Sequence, residues 1–197
     1  MIAGLTGSFG SGKTTVTEYL KSCRIPVIDA DEIAREVTAP GSPGMEVVLK
    51  TFGNDYRRAD GGLDRKKLAL RVFSNPDDLK RLEKIVHPLV RERELALLEK
   101  YKNESLVVLS APLLLEKGLD RYVDKILVVT ISEEVRLSRL MKGHKMTRGE
   151  ITERLKSQMP QEEKARRADF IIDNSGTTRE TQNRVDAVLK TLLEKKV

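Results

Sequence analysis

Residues 7–14, Gly-Ser-Phe-Gly-Ser-Gly-Lys-Thr, constrain this chain more than any other segment. They fit the pattern G-x-x-x-x-G-K-[ST] completely. An apolar stretch precedes them and a helix-forming one follows. Residues 1–6 read as a short buried strand with Ile2 and Leu5 as core candidates, and Lys13 to Lys21 as a helix burying Val16, Tyr19 and Leu20. Glycines let such a loop wrap phosphate oxygens without Cβ clashes. Backbone N–H groups of Gly10, Ser11, Gly12, Lys13, Thr14 and Thr15 then form an anion nest at the helix N-terminus. Lys13 reaches the outer phosphates, and the Thr14 hydroxyl can ligate Mg²⁺. A dinucleotide loop would need G-x-G-x-x-G. Gly7, Gly10 and Gly12 have the wrong spacing for it, although Asp29 sits near that motif's acid.

A second short strand is expected at 25–28, with Pro26 at its start. Asp29 to Val37 reads as a loop entering a helix. Strand, loop, helix and strand in this order form a βαβ unit. The fold class is therefore α/β, a three-layer P-loop nucleoside triphosphate hydrolase fold with a mainly parallel sheet. Residues 39–44 form a punctuated turn, and helices are expected at 45–52, 64–72 and 77–100. Pro88 is expected to kink or divide the last of these. This stretch, about residues 40–100, reads as a helical subdomain within one domain spanning 1–197. Continuous apolar runs at 106–109 and 126–129 suit central parallel strands. Ser132 is a cap candidate for the next helix. Helices at 133–142 and 147–158 carry many charges, as a lid (about 136–160) or an ordinary solvated helix pair would. Residues 170–172 read as a last strand, and 177–196 as a closing helix with Val185, Val188, Leu189 and Leu192 on one face.

Composition removes several classes. One cysteine in 197 residues excludes an internal disulfide framework, and two histidines beside it exclude a structural zinc site. Cys23 has no paired base and reads as chemically inert. No run reaches the roughly 18 apolar residues a membrane span needs, and the start has no basic n-region. A soluble cytoplasmic protein is expected, without a membrane partner, as a monomer or weak homo-oligomer. The net charge of +6 suits polyanionic ligands. Nucleic acid is not the expected partner, because basic residues are interleaved with acids and aromatics are only 4%. Tyr56-Arg57-Arg58 is the best local patch for that alternative.

The loop after the second expected strand carries Asp29-Ala30-Asp31. In parallel α/β sheets, loops at strand carboxyl ends share the ligand crevice. Asp31 is the candidate base for a substrate hydroxyl, and Asp29 a helper for the metal or the loop. Arg35, four residues on, shares the helical face of Asp31. The bland alternative is an N-cap aspartate followed by an i,i+4 ion pair. An Asn-Lys-x-Asp base-recognition segment and an Asp-x-x-Gly switch are both missing, which disfavours a guanine-specific switch. A small-molecule kinase fits the length, with the acceptor open.

Five ordered segments resemble the dephospho-coenzyme A kinases, over essentially the whole chain. They are Gly4-Leu5-Thr6-Gly7 with the phosphate loop, Val27 to Arg35, His87-Pro88, Pro112-Leu113-Leu114-x-Glu116, and Ala168-Asp169-x-x-Ile172-x-Asn174. The resemblance implies ATP-dependent phosphorylation of the ribose 3′-hydroxyl of dephospho-coenzyme A, a helical substrate domain and a lid. It puts Asp31 on the catalytic base and Arg139 on a lid-hinge arginine near the phosphates. Asn174 falls near the adenine, and His87 and Arg81 in the substrate subdomain. Arg139, Lys142 and Arg136 are expected to close over the transferring group. Many relatives carry Arg-Asp-Gly where this chain has Lys142, Gly143, His144 and Lys145. The strand ending at Ser110 lacks a Walker-B aspartate. Mg²⁺ is thus expected on Thr14 and the phosphates, with Asp31 helping through water.

Overall fold

The computed structural model describes residues 1–194; residues 195–197 and the side chain of His144 lie outside the described residues. The chain divides into two compact units, Met1–Ile28 with Tyr101–Val197, and Asp29–Lys100.

The first unit is built on β1 (Ile2–Gly7), α1 (Lys13–Ser22) and β2 (Val27–Asp29). The intervening Asp29–Lys100 unit holds α2 (Ala30–Glu36), α3 (Pro43–Phe52), α4 (Arg65–Ser74) and α5 (Pro76–Lys100). The first unit then resumes with β3 (Val107–Ser110), β4 (Lys125–Thr130), α6 (Glu133–His144), α7 (Arg148–Lys156), α8 (Gln161–Arg166), β5 (Phe170–Asp173) and α9 (Thr178–Glu194). The sheet order is β2-β3-β1-β4-β5. β1 pairs in parallel with β3 and β4, with Leu5 opposite Ser110 and Leu127, and β4 pairs in parallel with β5. Ala3, Leu5, Leu106, Val108, Leu127, Val129 and Ile172 are buried together against Val16 and Leu20 of α1 and Val185, Val188, Leu189 and Leu192 of α9. Their alternates Val107, Leu109 and Val128 are buried too. Both faces of the sheet are therefore covered, as a mainly parallel arrangement requires.

The helical unit has its own core: Met45, Val48, Leu49, Phe52, Tyr56, Leu63, Leu68 and Val72, backed by Leu79, Leu82, Ile85 and Val86 of α5. Each fully buried aliphatic side chain of this kind contributes about 1.5–3 kcal/mol. Of the two expected effects of Pro88, a kink or a division, the division does not occur: α5 runs for 25 residues with Pro88 inside it. Pro88 and Lys84, whose carbonyl loses its helical donor to the proline, are both exposed, so water can satisfy that group.

Caps set the helix ends. Ser42, Asp64 and Ser132 accept from Met45, Lys67 and Val135 N–H respectively. Thr147 with Glu150, and Thr177 with Glu180, form reciprocal boxes at the starts of α7 and α9. Positions 195 and 196 of the expected closing helix lie outside the described residues. The Thr177 N–H, then its hydroxyl, holds the Glu180 carboxyl below its usual range. A lowered carboxyl contributes stability above its unfolded pKa, about 4.3, and loses it as pH falls through the folded value. A Glu180→Gln variant should therefore show a shallower loss of melting temperature from pH 7 to pH 3 than wild type. Parallel acid profiles would contradict this.

Candidate active site

The phosphate loop lies between β1 and α1, in the first unit. Gly10 and Gly12 adopt φ of 74° and 85°, where a side chain is disfavoured. Gly12 also leaves no room for a Cβ, which would overlap the Asn174 amide. α1 has Gly12 at its N-cap, no side-chain cap and no acidic residue in its first turn. Its leading N–H groups and dipole are thus left for an anion. Thr14 and Thr15 are exposed in that first turn. The Ser8 and Ser11 hydroxyls are buried without a hydrogen-bond partner, polar groups that a bound phosphate could satisfy. The Lys13 ammonium donates to the Ser110 hydroxyl at 2.8 Å. Ser110 ends β3, where a Walker-B acid would stand.

The loop is braced from behind. Asn174, 3% exposed, donates from Nδ2 to the Ser11 carbonyl at 2.9 Å, and its Oδ1 accepts from the Thr181 hydroxyl at 2.8 Å. Arg139 donates to the Asn174 and Gly176 carbonyls at 2.8 and 2.7 Å. It secures the turn after β5, to which the Ser175 hydroxyl adds by accepting from Ser132 N–H. The Asn174 amide is thus committed to bracing the loop. An Asn174→Ala variant leaves buried groups unsatisfied and should lose about 1–3 kcal/mol. Thermal unfolding would show this as roughly 2–4 °C per kcal/mol, and an unchanged midpoint would contradict it.

Several contacts escaped the sequence. Gln158 Oε1 accepts from the Phe9 N–H at 2.8 Å, and the Arg154 guanidinium lies 5.0 Å from the Phe9 ring centre. Two residues of the expected 147–158 helix, read as part of a lid or of an ordinary solvated helix pair, therefore clasp the loop tip. Lys164 of α8 is fully buried, on the Pro112 carbonyl and Glu116 Oε1 at 2.8 Å each. Glu116 also accepts from Met159 N–H at 3.0 Å. Arg136, which was expected in a closing lid, is only 7% exposed. Gln161 Oε1 accepts from its Nη2 at 2.6 Å. Burial lowers its pKa, against the opposing charges of Glu162 and Glu133.

The helical unit carries the remaining expected residues. Asp29, not Asp31, caps α2: its Oδ1 accepts from Asp31 N–H at 2.9 Å and Glu32 N–H at 3.2 Å. This fixes the backbone of Asp31, whose side chain is exposed in the first helical turn. Arg35 is exposed, and its carbonyl accepts from Arg65 at 3.0 Å. Burial, then the Arg35 charge, lowers the pKa of Arg65. Arg81 lies 3.6 Å from Asp78, and His87 Nε2 lies 3.8 Å from Glu83 Oε1, both on α5. Among the described residues no group of three or more His, Cys, Asp or Glu could hold a metal ion. Thr14, exposed in the first turn of α1, offers a hydroxyl oxygen of the kind that hard cations accept.

Comparison with known proteins adds to this geometry. Residues 1–180 match a family model described as dephospho-CoA kinase. A dephospho-CoA kinase from Bacillus cereus is 45% identical over 192 residues, 96% of each chain. Among solved structures, a protein from Thermus thermophilus superposes with a TM-score of 0.83 at 37% identity, covering 100% of this chain and 98% of its own. The dephospho-CoA kinase from Campylobacter jejuni superposes with a TM-score of 0.72 at 27% identity, over 100% and 98%.

Proposed function

The chain belongs to the dephospho-CoA kinase family, and from that premise we propose how its residues carry out the reaction. The protein transfers the γ-phosphoryl group of ATP to the ribose 3′-hydroxyl of dephospho-coenzyme A. The products are coenzyme A and ADP, in the last step of coenzyme A synthesis. One observation carries the reading: an intact phosphate loop, with the uncapped α1 behind it, in a chain that matches this family over residues 1–180.

The loop N–H groups from Gly10 to Thr15 and the Lys13 ammonium hold the triphosphate. Asn174 keeps Ser11 and Gly12 in place while they do so. Asp31 orients the 3′-hydroxyl and takes its proton as the new P–O bond forms in line with the departing ADP oxygen. The cap from Asp29 fixes where that carboxylate starts. Thr14, with the phosphates, would hold Mg²⁺, which would supply charge neutralisation during transfer. Arg35, Arg81 and His87, in the helical unit, receive the acceptor's anionic body, and that unit acts as the substrate subdomain. The α6–α7 segment acts as a lid that excludes water, a competing acceptor. Arg139 holds the turn after β5 through the Asn174 and Gly176 carbonyls, and Lys142 supplies charge in the lid.

The partners are ATP and dephospho-coenzyme A, with the enzyme in the cytoplasm as a monomer or weak homo-oligomer. Among the described residues no helix is long and apolar enough to cross a membrane. A coupled ADP-release assay tests the acceptor. Rapid Mg²⁺-dependent release with dephospho-coenzyme A, and weak release with adenosine or shikimate, is expected. Equal release with all three, or none with dephospho-coenzyme A, would refute the assignment.

A further inference from the structure

The least expected charge in the first unit is Arg136. It belongs to α6, where the sequence suggests either a residue closing over the transferring group or a solvated helix face, yet it is only 7% exposed. Its guanidinium is only partly satisfied. Nη2 donates to Gln161 Oε1, which also accepts from Ile131 N–H at 3.0 Å, while Gln161 Nε2 donates to the Ile131 carbonyl at 3.0 Å. Gln161 is thus a fixed bracket rather than a counter-ion. The Arg136 Nε is buried and without a hydrogen-bond partner. Its Nη2 meets a neutral amide, and the charges of Glu162 and Glu133 do not outweigh its burial; such a buried cation is costly, and natural chains keep one when something else repays it.

Its position indicates what repays it. The Arg136 stem packs on the phosphate loop: a Cβ built on Gly10 would stand 3.2 Å from Arg136 Cγ and 2.6 Å from Leu140 Cδ1. Gly10 has φ of 74°, so both its backbone and the room around it depend on the missing side chain. The same loop holds the buried, unpartnered Ser8 and Ser11 hydroxyls. Three incompletely satisfied polar groups therefore collect around one loop that is shaped for an anion.

We propose that Arg136 is a buried counter-charge for the nucleotide polyphosphate, tolerated in the ligand-free protein and repaid when the triphosphate enters the loop. This rests on the nucleotide-binding reading of the loop, and it assigns a role beyond the loop and Lys13 to a residue of α6, the helix with which the lid segment begins. The mechanism is electrostatic: a cation in low dielectric attracts each added phosphate charge more strongly than one in water would. Its contribution must rise from AMP to ADP to ATP. Its removal must also spare or raise the stability of the free protein, opposite to the effect of losing a structural contact.

The test compares wild type, Arg136→Met and Arg136→Lys. Methionine keeps an apolar stem beside Gly10, and lysine keeps the charge. Calorimetry with ATP, ADP and AMP gives the affinities, and thermal unfolding without nucleotide gives the midpoint. Expected for Arg136→Met is a loss of ATP affinity of about 10–30-fold, a smaller loss for ADP and almost none for AMP. The ligand-free midpoint should be unchanged or higher, and Arg136→Lys should recover most of the ATP affinity. ATP affinity within twofold of wild type would overturn the proposal. So would equal losses for all three nucleotides with a lowered midpoint, which would make Arg136 a packing residue. If the methionine variant does not fold, Arg136→Gln carries the same comparison. Failure of wild type itself to bind ATP would overturn the reading of the loop, a separate outcome.

Discussion

A Lys13→Ala variant is expected to transfer phosphate at about 10⁻² to 10⁻³ of the wild-type rate or below. The loop's backbone donors remain in that variant, since Gly10 and Gly12 keep their conformation and Asn174 still holds the Ser11 carbonyl. What goes is a point charge on a flexible stem, positioned at 2.8 Å from the Ser110 hydroxyl at the end of β3. Negative charge spreads over the γ-oxygens and the ADP leaving oxygen during transfer. An ammonium that meets it there acts more on the transition state than on bound ATP. The loss should therefore appear mainly in kcat. Lys13→Arg should rescue poorly, because a planar fork cannot take the place of a compact ammonium. The ligand-free melting temperature should hold within about 2 °C, since a change in a part-exposed side chain costs little stability. Normal turnover by Lys13→Ala would refute the role.

An Asp31→Asn variant should lose about 10²–10⁴-fold in kcat with ATP affinity nearly unchanged. Asparagine is the same size and can still orient a hydroxyl, but it cannot take a proton at neutral pH. Asp31 has its backbone fixed by Asp29 and its side chain exposed at the first turn of α2. The pH profile provides a second readout: wild-type kcat/KM should fall on the acid side as the base becomes protonated, and the variant should lose that limb. Wild-type-like turnover, or a loss confined to ATP binding, would remove Asp31 as the base.

Local patterns were legible in the sequence, and long-range ones were not. β1, the phosphate loop and α1 could be read because glycines, lysine and threonine at fixed spacing do their work within a few residues. The caps at Ser132 and the apolar strands β3 and β4 were legible for the same reason, within one or two residues of their observed ends. α8 was missed because Gln161–Arg166 has no apolar stripe; its buried side chain is Lys164. A division at Pro88 did not follow, since a proline on an exposed helix face leaves a carbonyl that water can reach. At the site, Gln158 meets Phe9 across 149 residues and Asn174 meets Ser11 across 163, and no periodicity announces such pairs. The burial of Arg136 was not legible because charge predicts exposure, while Gly10 and Gln161 lie against it. Asp29 and Asp31 were both singled out, but only the geometry separates the cap from the candidate base.

The central claim is that the loop at residues 7–14 delivers the γ-phosphoryl group of ATP to one hydroxyl of one acceptor. Transfer of label from γ-³²P-ATP, followed by mapping of the labelled position on the product, tests it most directly. The account predicts label on the ribose 3′-oxygen of dephospho-coenzyme A, with one ADP formed per label and both abolished in Lys13→Ala. Label appearing as inorganic phosphate, or on another oxygen, would contradict it.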